Sequence, residues 1–199
     1  MKHLHPFIVF LLTTSFYPHK SEIIFSDVDF FGTSMAIHGD ELYFPTETHI
    51  QKIDLTQTDL SAVQVLEVVE PDNLVFHSND LYFNTGSTIS KIDVTDQSPA
   101  AIDVVTSGLD DIYGMAFKGD VLFIADGRFE NSMEISDLFK IDVSGSETTP
   151  THVIDGPGAI LQGLAFYGDG NELHFISSPG FSDHKILKID VSQILPCFF

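Results

Sequence analysis

The tetrapeptide Lys-Ile-Asp-Leu/Val begins at Lys52, Lys91, Lys140 and Lys188, so one phrase is written four times, at intervals of 39, 49 and 48 residues. A period of about 40 to 50 residues marks an architecture of stacked units, each burying its apolar surface only against its neighbours. A chain of 199 residues has room for four such units and little besides.

Each unit divides into four strand-like pieces. The first is Met-Ala-Ile-His-Gly from Met35, Leu-Val-Phe-His-Ser from Leu74, Met-Ala-Phe-Lys-Gly from Met115 and Leu-Ala-Phe-Tyr-Gly from Leu164. A tight turn follows, Gly39-Asp40 or Gly119-Asp120, of the composition that supplies positive φ to a hairpin. The second piece is a Leu-Tyr-Phe run and the third ends in the Lys-Ile-Asp phrase. The fourth, from Ala62, Ala100 or Thr151, is rich in the β-branched residues that strands prefer. With no helical period anywhere, four short antiparallel strands per repeat predict an all-β chain: a β-propeller with four-stranded antiparallel blades, four of them visible. Alternation of large and small residues, as in Met115-Ala116-Phe117, suits blades that taper toward an axis. Eighteen phenylalanines and no tryptophan fill a core without adding polar atoms to satisfy.

The segment Ser21–Asp40 parallels Thr151–Asp169 as fourth strand, loop and first strand, whereas the last repeat shows only its first three strands. Two architectures are open: a closed four-bladed ring in which an N-terminal strand completes the last blade, and a fragment of a larger propeller. Residues 1–20 read as a signal peptide or N-terminal leader, with one lysine before the apolar run Pro6–Leu12, and 21–199 as a single propeller domain of about four repeats. That run is shorter than the roughly 20 residues a membrane span needs, and no other segment is long and apolar enough. The expected location is secreted or cell envelope.

The formal charge of −20 repels a phosphate backbone and argues against nucleic acid as a partner. Because the carboxylates are spread along the chain, the acidity reads first as solvation. One cysteine, Cys197, excludes an intrachain disulfide.

Loops joining fourth to first and second to third strands emerge on one face of a propeller, where binding is expected. That face receives Asp29, Asp72, Asp110, Asp111, Asp126, Arg128, Glu130, Asp183 and His184. The richest cluster is Ser107–Gly114 facing Ala125–Asp137, which nominates Asp110, Asp111, Asp126, Arg128 and Glu130 as ligand-binding residues. Paired carboxylates beside a glycine-containing loop suit calcium, which takes about 6 to 8 oxygen ligands, but the spacing is not that of an EF-hand; no cofactor is expected beyond that calcium option. His38 and His77 hold matching positions where other repeats carry Lys118 and Tyr167, which reads as a solvated rim. His49, His152, His174 and His184 have no partner at metal-ligand spacing, and no Gly-x-Ser-x-Gly elbow or phosphate-cradling loop is present. The four aspartates of the repeated phrase, Asp54, Asp93, Asp142 and Asp190, recur too evenly to be catalytic and are expected to bond turn amides.

Tyr-Gly-Met-Ala-Phe-Lys-Gly-Asp-Val-Leu-Phe-Ile-Ala-Asp followed by Asp-Leu-Phe-Lys-Ile-Asp-Val, between Tyr113 and Val143, resembles the repeat of the NHL, YVTN and gluconolactonase-like propellers. The repeats are also similar to those of secreted bacterial proteins, many flavobacterial, in which a Glu-Leu-Tyr-Phe…Lys-Ile-Asp-Val unit recurs. The resemblance covers Ser21 to Val191 and is specific for architecture. The absence of tryptophan sets the chain apart from WD, YWTD and quinoprotein repeats, and the absence of a Gly-Gly pair from kelch. Gluconolactonase-like propellers hold a divalent metal at the mouth of the central channel; at the corresponding positions, Ser34, Asn73, Gly114 and Gly163, only Asn73 offers a ligand. The expectation is therefore a non-catalytic extracellular or envelope binding or scaffolding propeller, taking a protein or small-molecule ligand on its long-loop face. The alternatives are a metal-dependent lactonase-like hydrolase and the truncated product of a longer propeller gene.

Overall fold

The computed structural model describes residues 32, 34–130, 133–146, 149–156, 160–168, 170–178 and 184–192, with residues 130, 133 and 134 as backbone only. The leader, the N-terminal candidate strand, Asp29, Asp183, Cys197 and the side chain of Glu130 lie outside these residues.

Each repeat forms its own antiparallel sheet, in sequence order. The first contains β1 (Ala36–His38), β2 (Glu41–Pro45), β3 (His49–Asp54) and β4 (Ala62–Glu67); the second β5 (Asp72–His77), β6 (Asp80–Thr85), β7 (Thr88–Asp93) and β8 (Ile102–Val105). The third contains β9 (Asp111–Lys118), β10 (Val121–Glu130), β11 (Met133–Asp142) and β12 (Thr151–Ile154). The last has three described strands, β13 (Ile160–Phe166), β14 (Glu172–Ser178) and β15 (Lys185–Asp190). Each strand predicted from Met35 onward is present. Among the described residues there is no helix, hence none long and apolar enough to cross a membrane.

The repeated phrase closes each sheet in the same way. Leu42 pairs with Ile53, Leu81 with Ile92 and Leu122 with Ile141, and these three isoleucines are buried because alternation turns them to the core. In the first, second and last sheets the lysine of the phrase turns outward to the acid that opens the second strand: Lys52 to Glu41 at 2.6 Å, Lys91 to Asp80 at 2.6 Å, Lys188 to Glu172 at 2.5 Å. Partly exposed pairs of this kind contribute less than about 1 kcal/mol each. The aspartates bond turn amides as expected. Asp54 accepts from the Thr56 N–H at 2.9 Å, Asp93 from Thr95 at 2.8 Å, Asp142 from Ser144 at 2.9 Å and Asp190 from Ser192 at 2.8 Å. These bonds, with those from the Thr56, Thr95 and Ser144 hydroxyls, hold the four carboxyls below the ordinary carboxylate range.

Three apolar cores lie between consecutive sheets, not within any one. A residue of the second strand meets the first-strand phenylalanine of the next sheet edge-on: Tyr43 and Phe76 at 5.1 Å, Tyr82 and Phe117 at 4.9 Å, Phe123 and Phe166 at 5.4 Å between ring centroids. Such pairs add about 0.5–1.5 kcal/mol each beyond burial. The same phenylalanines receive the position expected to be a solvated rim. His38 stacks on Phe76 and His77 on Phe117, Lys118 Nζ lies over Phe166, and His77 Nε2 reaches Asp120 at 3.0 Å. Histidine and lysine are interchangeable there because both cover an aromatic face.

The two ends of the array lack this cover among the described residues. Ile50, Ile89 and Leu138 are fully buried opposite Leu66, Val105 and Ile154 of their fourth strands, whereas the matching Ile186 is 79% exposed. Met35 is 59% exposed, although its counterparts Leu74, Met115 and Leu164 are buried, and Ile37 is 64% exposed, although its counterparts Phe76, Phe117 and Phe166 are partly buried. The described residues form no closed ring.

Candidate functional site

The inner strands begin around a shared cavity of about 470 Å³. All four positions singled out as opening the first strands, Ser34, Asn73, Gly114 and Gly163, line it. Three act as struts between sheets. The Leu74 N–H donates to Ser34 Oγ at 2.6 Å, joining the first sheet to the second, and Asn73 Nδ2 donates to Ile112 O at 2.8 Å and Asn84 Oδ1 at 3.0 Å, joining the second to the third. A Cβ on Gly114 would stand 3.3 Å from the Gly163 amide nitrogen, so glycine is what lets β9 lie against β13. Asn73, the one expected ligand of the set, is thus occupied in holding β5 to β9.

The position immediately before Asn73, Gly114 and Gly163 is filled by Asp72, Tyr113 and Gln162, and all three line the cavity. Each of these three strands carries a bulge at this point, between Asp72 and Val75 in β5, at Tyr113 in β9, and between Gln162 and Ala165 in β13. Bulges break the pleat and re-aim side chains, which explains why a position at a strand's beginning turns toward the axis. A carboxylate, a phenol and a carboxamide therefore replace one another around one opening. Met35, Leu74, Met115 and Leu164 supply apolar wall.

The expected ligand-binding cluster is only partly assembled, and beside the cavity instead of in it. Asp126 is buried, and its Oδ1 accepts the amides of Asp110 at 2.8 Å and Asp111 at 3.0 Å. It fixes the loop that enters β9; Asp110 and Asp111 themselves are exposed on that loop. Burial pushes the Asp126 carboxyl up from 3.8 to about 6, against the opposing pull of the two amide bonds. Arg128 turns away and pairs with the buried Asp137 on β11. Ala125–Asp137, placed on the loop face by the sequence, is strand over its described residues: β10 and β11 are ten residues each and pair in unbroken register from Val121–Asp142 to Glu130–Met133.

Strand pairing also brings Asp137 to His152, beside Asp155 three residues along the chain. Its Nε2 lies 3.2 Å from Asp155 Oδ1 and 3.9 Å from Asp137 Oδ2, so Asp137, His152 and Asp155 could together offer three metal ligands. Asp137 is already engaged by Arg128 and by the Gly156 N–H at 2.9 Å, which leaves that trio poorly suited to an ion. His184 Nδ1 lies 2.7 Å from Ser178 Oγ. Tyr113 and Gln162 escaped the sequence reading; aligning the repeats on Ser34, Asn73, Gly114 and Gly163 and looking one residue back would have found both.

No protein-family profile matches the chain, and no curated protein matches it. Solved structures do. The chain is similar to the computationally designed Ika4 protein (12% identity, TM-score 0.53, covering 84% of this chain and 96% of that one). It is also similar to a chain of the nidogen/laminin complex (15% identity, TM-score 0.62, 77% and 58%) and to YjhT (12% identity, TM-score 0.57, 83% and 66%). The fold is a β-propeller. At these identities the likeness concerns architecture alone, and the chain spans less than two thirds of the nidogen/laminin and YjhT chains.

Proposed function

We propose that this propeller is a non-catalytic binding or scaffolding module whose ligand, a small molecule or a protein side chain, seats in the mouth formed by the inner strands. The single observation that carries this reading is the divergence of Asp72, Tyr113 and Gln162 at one register position facing one cavity. Positions that build blades repeat here, as the Lys-Ile-Asp phrase does, so a position that differs in each of three blades while sharing a cavity is where recognition is expressed. The candidate cluster Asp110, Asp111, Asp126, Arg128 and Glu130 enters this reading as an acidic lip, with Asp126 positioning the loop. The apolar leader favours action outside the cytoplasm, secreted or in the envelope, and the repeat wording favours kinship with NHL-type and secreted bacterial propellers. A Lewis acid needs converging oxygen ligands, and the described wall of the mouth holds one carboxylate, Asp72, so recognition is favoured over lactonase-type hydrolysis.

Thermal shift with amines, monosaccharides and short peptides tests this. At least one class is expected to raise the melting temperature of the native chain and not that of Gln162→Trp, which fills the mouth. If every class acts equally on both proteins, or none acts on either, the mouth is not the binding site.

A further inference from the structure

We infer that the mouth recognises an organic cation, an ammonium or guanidinium head, an assignment that rests on the mouth being the binding site. Among the described residues lining the cavity, Asp72 is the one charged side chain and Lys, Arg and His are missing. Asp72 is held in place by its backbone neighbour, since Oδ1 accepts the Asn73 N–H at 2.7 Å, while a Cβ on Gly32 would stand 2.8 Å from the same oxygen. The carboxylate is therefore set by local packing before any ligand arrives. Tyr113 lines the same cavity, and a carboxylate beside an aromatic residue is the pairing that binds ammonium and guanidinium groups.

The remaining lining discriminates further. Met35, Leu74, Met115 and Leu164 are apolar, so they desolvate a hydrated metal ion without replacing its oxygens but accept the carbon substituents of an organic cation. Anions are disfavoured by Asp72, by Asp110 and Asp111 on the adjoining loop, and by the charge of −20 on the whole chain. That same field draws cations toward the opening and makes their capture salt-dependent.

Isothermal titration of the full chain with tetramethylammonium, a blocked Lys/Arg tripeptide, acetate and glucose tests the assignment. Binding of either cation is expected, weakening at least tenfold in Asp72→Asn and falling as salt rises. Asn keeps an oxygen to accept the Asn73 N–H, and circular dichroism confirms that the variant is folded; Tyr113→Leu provides an independent loss at the same wall. Binding of tetramethylammonium identifies a free small-molecule amine as sufficient, and binding of the tripeptide alone identifies a protein side chain as the source. The assignment is overturned if acetate or glucose binds as well as the cations, or if both variants bind cations normally. Glucose binding that Gln162→Trp abolishes, with no cation binding, would sink the cation and leave the mouth standing; indifference of every probe to Gln162→Trp would sink both.

Discussion

Tyr113 lies against the backbone of Gly127, so close that a Cβ built on Gly127 would stand 2.1 Å from Tyr113 Cε2. The glycine is there for contact: it gives the ring of a mouth-lining residue somewhere to rest. Gly127→Ala should therefore displace Tyr113 and destabilise the protein by about 1–3 kcal/mol, the usual cost of overpacking. In a Tyr113→Ala background the same substitution should cost nothing, because the collision is gone. Chemical denaturation of the four proteins completes the cycle, and equal costs in both backgrounds would show that the contact is not the cause.

Asp126 predicts a pH dependence. Its carboxyl titrates at about 6 in the folded chain against an ordinary 3.8, so folding favours the protonated form. The stabilisation is fully present below pH 3.8 and is lost as pH rises through about 6. Asp126→Asn keeps an acceptor for the Asp110 and Asp111 amides and removes the charge. It should stabilise the protein at pH 7 by on the order of 1–3 kcal/mol, with the gain vanishing near pH 3.5. Melting temperatures across that range decide it; a gain that persists undiminished at low pH would rule out the buried charge as the source.

Asn73 joins two sheets by its side chain and has a φ of 45°, which few other residues tolerate. Asn73→Gly should relieve the backbone requirement and lose only the bonds, costing about 1–3 kcal/mol, whereas Asn73→Ala should cost more. Reversed order in urea melts would mean that the backbone conformation is unimportant.

Matched positions in different blades should respond differently to one substitution. Ile89→Ala removes a fully buried side chain and should cost about 2–5 kcal/mol, while Ile186→Ala removes one that is 79% exposed and should cost less than about 1. A large penalty at Ile186 would show that something covers that edge in solution.

Much of this architecture was legible because its signals are local. The Lys-Ile-Asp phrase fixed strand phase, and the recurrence of Asp54, Asp93, Asp142 and Asp190 identified turn acceptors before any distance was known. The site was less legible for three reasons. Asp72, Tyr113 and Gln162 reach the cavity through bulges, which shift the alternation on which strand reading depends. Asp137 and His152 meet only because β11 pairs with β12. His38 and His77 looked solvent-facing because their partner rings belong to the following repeat, about 40 residues away.

Among the described residues, the aromatic contacts that run from each sheet to its successor form a line of nearest-neighbour couplings with a direction, His38 onto Phe76 and His77 onto Phe117. In such a line the outer members fray at little cost, while a lesion at the central junction of Tyr82 and Phe117 divides the chain into two pairs that no longer inform each other. Cooperativity therefore resides in the junctions, and hydrogen exchange should be slowest in the second and third blades, the sheets with a described neighbour on both sides.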